Sequence, residues 1–169
     1  MTTFLKHTII AIALLQLTAC SVLDFIIPKG VADFVSPKGN KLGWDGVTIM
    51  AANDANLNSP VALDIVLFKD EASLTMAATL PAGKWFATRG EMEKTYPQAI
   101  SYKSYEVAPG QTLRIPATEF GGLRVAGVMV YADYLTPGEH RVRADQLQGA
   151  VLVQLGAKDF AVTVPQLSK

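Results

Sequence analysis

The chain has 169 residues, half of them hydrophobic, and its 15 Lys and Arg balance its 15 Asp and Glu. A neutral chain without a basic stripe is not built for nucleic acid. Cys20 is the one cysteine, which excludes an intramolecular disulfide and leaves the hydrophobic core to supply stability.

Residues 1–19 read as a signal peptide. Lys6 gives a positive start, and an apolar run from Thr8 to Leu17 follows, too short for the roughly 20 residues that a membrane-spanning helix needs. The run ends in Leu17-Thr18-Ala19-Cys20, which resembles the lipobox of bacterial lipoproteins. That resemblance implies cleavage before Cys20, acylation of its thiol and attachment to membrane lipid. Lipoproteins with Asp after the cysteine are commonly held in the inner membrane, so Ser21 favours the outer one.

Residues 20–43 follow as the lipidated cysteine and a tether. Asp24-Phe25-Ile26-Ile27-Pro28-Lys29-Gly30 is echoed by Asp33-Phe34-Val35-Ser36-Pro37-Lys38-Gly39, and the Pro-Lys-Gly endings oppose helix. A flexible coil of this length averages about 25 Å end to end. Its apolar residues leave open that it docks on the domain or rests at the lipid surface.

Residues 44–169 carry the period of strands. Val47 to Ala51 is a first strand. Val61 to Phe68 is a second, with Val61, Leu63, Ile65 and Leu67 on one face by alternation. The segment Asn53-Asp54-Ala55-Asn56-Leu57-Asn58-Ser59-Pro60 between them is turn chemistry, since Asn and Asp bond their own backbone. Asp70-Glu71 opens a helical piece that Pro81 closes, and a second helix with Trp85, Phe86 and Met92 spans residues 83–94. Strand patterns resume at 100–107, 112–115 and 123–132, the last being the most apolar run and expected in the middle of the sandwich. A final hairpin joins 151–155 to 160–164 around Gly156-Ala157-Lys158-Asp159. The class that fits is mainly β, a two-sheet β-sandwich with a short helical insertion after the second strand.

Little chemistry stands out. Once the signal is removed His140 is the one histidine, and it is expected on an exposed turn, with Arg141 and Arg143 on a solvated strand or loop face. No nucleophile elbow, phosphate loop or metal-ligand spacing is present, so neither an enzyme nor a cofactor is expected. Trp44, Trp85, Tyr96, Tyr102 and Tyr105 admit an alternative, a periplasmic ligand- or carbohydrate-binding lipoprotein with a stacking platform.

The order of features resembles the outer-membrane lipoprotein of type VI secretion systems, the TssJ family. The stretches that carry it are Asn53 to Phe68, a polar loop leading through Pro60 into an alternating strand; Pro109-Gly110-Gln111 before a strand; Val125 to Asp133; and Arg141 beyond it. The resemblance implies a transthyretin-like sandwich on the periplasmic face of the outer membrane. It also implies a partner, the periplasmic end of the inner-membrane protein TssM, contacted through the loop between the first two strands. In this chain that contact maps to Asn53, Asp54, Ala55, Asn56, Leu57 and Asn58.

Overall fold

A strand that is apolar at nearly every position needs both faces covered, and this chain does so with two sheets and a helical layer. The computed structural model describes residues 39–120 and 122–165, all within one compact unit, Lys38–Lys169. Cys20 and the expected signal peptide lie outside the described residues, as does most of the expected tether.

The strands are β1 (Asn40–Lys41), β2 (Trp44–Ala51), β3 (Val61–Phe68), β4 (Ile100–Val107), β5 (Thr112–Pro116), β6 (Arg124–Val125), β7 (Gly127–Asp133), β8 (Arg141–Arg143), β9 (Gly149–Leu155) and β10 (Phe160–Thr163). One sheet has the order β10-β9-β2-β5 and the other β4-β3-β7-β8, while β1 pairs with β6 alone. β2 runs parallel to β9, and the other pairs are antiparallel. β1 falls inside the stretch expected as tether, and Leu42, just after it, is 4% exposed.

β3 shows why the helices are there. Val61, Leu63, Ile65 and Leu67 face the other sheet, in a core with Val47, Ile49, Val128, Val130, Val151 and Val153. Val66 and Phe68, on the opposite face, are also buried, because two helices cover that side. The first, α1 (Glu71–Ala77), starts at Asp70, whose Oδ1 accepts the Ser73 N–H at 2.8 Å, a side-chain N-cap. The second, α2 (Ala82–Thr95), starts after Pro81, whose fixed φ suits a helix entry. Leu74, Ala77, Ala82 and Trp85 fill the space beneath them. The result is a mainly β sandwich with its helical insertion after the second long strand, as the alternation and helix signals predict. β7, the most apolar run, is an interior strand.

One residue is corrected by this packing. His140, expected on an exposed turn, is 8% exposed. Arg141 and Arg143, expected on a solvated strand or loop face, lie on the short strand β8, Arg143 exposed, and are paired with Glu139 and Asp145.

Candidate functional site: a tip built from three loops

The connections leaving β2, β7 and β9 meet at one end of the sandwich. Ala52 N–H donates to Leu155 O at 2.8 Å, and its carbonyl accepts from Gly110 N–H at 3.1 Å, so the loop after β2 is tied down at its first residue. Ala55–Asn58 then closes one helical turn of the wrong hand, with φ of 47° at Asn56, 56° at Leu57 and 63° at Asn58. Asn tolerates this region because its short amide can bond locally, whereas for an ordinary side chain it costs roughly 1–2 kcal/mol. Leu57 has no such relief, so the turn holds it there against its own preference.

The turn is held from both sides. Asn56 N–H and Leu57 N–H donate to Gly156 O and Ala157 O, each at 3.1 Å, joining it to the β9–β10 connection. The Asn56 side chain, 2% exposed, donates from Nδ2 to Pro60 O at 2.9 Å and accepts Leu135 N–H on Oδ1 at 2.7 Å, joining it to the β7–β8 connection. A buried amide with donor and acceptor both used contributes order rather than an unmet polar group.

The other two loops are pinned to each other around His140. Its Nδ1 lies 3.1 Å from Asp159 Oδ1 and its Nε2 2.8 Å from Thr136 O, and the ring stacks on Tyr134 at 4.8 Å. Tyr134 donates its hydroxyl to Asp159 O at 3.0 Å, and Thr136 donates to Lys158 O at 2.9 Å. Burial pushes the Tyr134 phenol up to about 12, with the nearby Asp159 charge adding to it. His140 is thus a pin between loops, and its acidic neighbour is Asp159.

The six loop residues expected to form a contact therefore divide. Asn53, Asp54, Leu57 and Asn58 are exposed, while Ala55 and Asn56 are buried and serve the loop itself. Leu57 is 50% exposed and outside both cores. Sequence reasoning missed Leu135, 67% exposed beside the bracket that Asn56 makes; an isolated leucine between Tyr134 and Thr136-Pro137-Gly138 was its one signal.

The aromatic residues considered for ligand stacking do not share a face. Trp44 packs edge-on against Phe120 in the inter-sheet core, and Trp85 stacks on Tyr131 beneath the helices. A hollow of about 550 Å³ beside the tip, lined by Met50, Ala52, Gly156, Asp159 and Phe160 among others, holds one aromatic ring and is open to solvent. Among the described residues no group of three or more His, Cys, Asp or Glu could hold a metal ion.

Fold and site together define a helix-backed β-sandwich with three loops hydrogen-bonded to one another at one end. Its fold is that of the type VI secretion lipoproteins. TssJ1, a lipoprotein of that system from Pseudomonas aeruginosa, superposes at a TM-score of 0.57 with 16% identity, over 73% of this chain and 96% of that one. Lip from Serratia marcescens, a membrane-bound component of the type VI secretion system, gives 0.50 and 12% over 72% and 96%. A chain of the TssM C-terminal domain structure from EAEC gives 0.50 and 18% over 71% and 97%. No protein-family model and no curated sequence matches the chain.

Proposed function

We propose that this chain is the TssJ-type lipoprotein of a type VI secretion membrane complex, anchored to the outer membrane by acylated Cys20 and holding the periplasmic end of a TssM-like inner-membrane protein. The observation that carries the reading is the match in fold over 96% of TssJ1, because it includes nearly the whole of that lipoprotein. The lipobox at Leu17-Thr18-Ala19-Cys20 supports the anchor independently. More than one acyl chain is what stable anchoring requires, and a mature bacterial lipoprotein is expected to carry several.

The contact is placed on the exposed part of Asn53 to Asn58, where a polar loop projects from a rigid scaffold. Such a protein works by geometry: it fixes a partner at a set distance from the leaflet and has no reaction to catalyse. A two-component titration tests the reading, with the purified domain and the periplasmic domain of the TssM-like protein of the same organism. Micromolar or tighter binding, lost when Asn53, Asp54 and Asn58 become Gly or Ser, is the expected result. Unchanged binding after that replacement would move the contact elsewhere, and no binding by the unaltered domain would remove the TssM reading.

A further inference from the structure

Two leucines stand in the open on either side of one buried amide. Leu57 occupies a left-handed position that asparagine or glycine would take with less strain, yet it is half exposed and adds nothing to either core. Leu135 is the most exposed large apolar residue described, and its backbone N–H is held by Asn56 Oδ1 at 2.7 Å. A single exposed leucine is ordinary on any protein surface. Here two are fixed relative to each other by the same side chain, Asn56, which is next to Leu57 in the chain and bonded to Leu135 in space.

Charge near the pair is one-sided. Asp54 shares the loop with Leu57, and Asp133 lines the same hollow as Leu135; both acids are exposed, while Asp159, on the connection that bonds the turn, already faces His140 Nδ1 at 3.1 Å. Lys158 is the cation among them, while Arg141 is already paired with Glu139. An occupant of this surface would need apolar recesses for two leucines and basic groups around them.

We infer that Leu57 and Leu135 form a two-point apolar anchor for a protein partner whose facing surface is an apolar recess with a basic rim. This rests on the reading that the tip engages the periplasmic domain of a TssM-like protein. It adds the β7–β8 connection to the contact and states the chemistry of the counter-surface. The strained turn then has a purpose: it keeps Leu57 out of the core, on backbone that the Asn56 side chain ties to Leu135.

The test is a titration of the full lipidated chain in detergent micelles against the periplasmic domain of the TssM-like protein of the same organism. Leu57→Asn and Leu135→Asn, singly and together, are compared with the unaltered chain. Asparagine tolerates the left-handed region, so Leu57→Asn should melt no lower than the parent. Each substitution should weaken binding about tenfold or more and the pair about a hundredfold, as expected for uncovering a buried leucine. Raising the salt from 50 mM to 500 mM should weaken the parent complex further. Binding by the double variant within twofold of the parent overturns the anchor while leaving the TssM reading intact. A large drop in melting temperature for Leu57→Asn overturns it too, since Leu57 would then be packing. Salt-independent binding removes the basic rim, and no binding by the parent overturns the partner reading and the anchor with it.

Discussion

Asp64 is the charged residue on which the helical layer hangs, and replacing it should loosen that layer. It sits at the centre of β3 with no exposed surface, on the face covered by the helices. Trp85 Nε1 donates to its Oδ2 at 2.8 Å, Ser104 donates to Oδ1 at 2.7 Å, and Arg89 Nη1 reaches both oxygens at 2.8 and 2.6 Å. Arg89 also lies over the rings of Phe86 and Tyr102. Asp64→Ala removes three partners at once. The Trp85 N–H, fully buried, is left unmet at a cost of about 1–3 kcal/mol. Loss of a fully buried pair would cost about 3–5 kcal/mol, but the Arg89 side chain is 31% exposed and can turn to water, so its share falls to about 1 kcal/mol. The total is about 3 kcal/mol, a fall of roughly 12 °C in melting temperature for a domain of this size. Asp64→Asn keeps an acceptor for Trp85 and should lose about half as much. Thermal melts of the soluble domain followed by near-ultraviolet circular dichroism read this directly through Trp85. An Asp64→Ala domain melting within 3 °C of the parent, or an Asp64→Asn domain melting below the Asp64→Ala one, would contradict this role for Asp64.

A Cβ at Gly127 would lie 2.5 and 2.7 Å from the two Leu74 methyls, so Gly127→Ala should cost about 1–3 kcal/mol by prising α1 from β7, measurable as a lower urea midpoint. Burial pushes both Tyr131 and Tyr134 up to about 12, whereas unfolded tyrosine ionises near 10. Their contribution to stability is therefore full below pH 10, shrinks as the pH rises from 10 to about 12, and does not recover above that; urea midpoints flat between pH 9 and 12 would contradict it. Cys20→Ser should abolish incorporation of a clickable fatty acid, and a label retained in the variant would remove the lipid anchor.

The sandwich was legible because its long strands obey a two-residue period. Val61 to Phe68 shows both the success and its limit. The alternation assigns Val61, Leu63, Ile65 and Leu67 to the inter-sheet core, and the structure puts them there. It is silent on why Asp64, in the same strand, is wholly buried, since that depends on Trp85 and Arg89 arriving from a helix more than twenty residues away. β8 stayed undecided between strand and loop because Arg141-Val142-Arg143 carries two charges in three residues, each neutralised by an acid two positions off. The tip was half legible. Asn and Asp in the octet signal a turn, but its left-handed run is set by hydrogen bonds to the carbonyls of Gly156 and Ala157 and from the N–H of Leu135, which lie far along the chain. The same long-range bonds turn Asn56 from a surface residue into an interior bracket and carry His140 from an exposed turn into a stacked, doubly bonded position.

One association decides what this lipoprotein does, and it can be measured where it would occur. Envelopes of the native organism are crosslinked, solubilised and passed over an affinity tag at the C-terminus of the chain, and the recovered proteins are identified by mass spectrometry. The expected result is a TssM-like inner-membrane protein recovered with the parent chain and depleted with the Leu57→Asn, Leu135→Asn double variant. Recovery of the lipoprotein from outer-membrane fractions with no such protein attached would contradict the central claim.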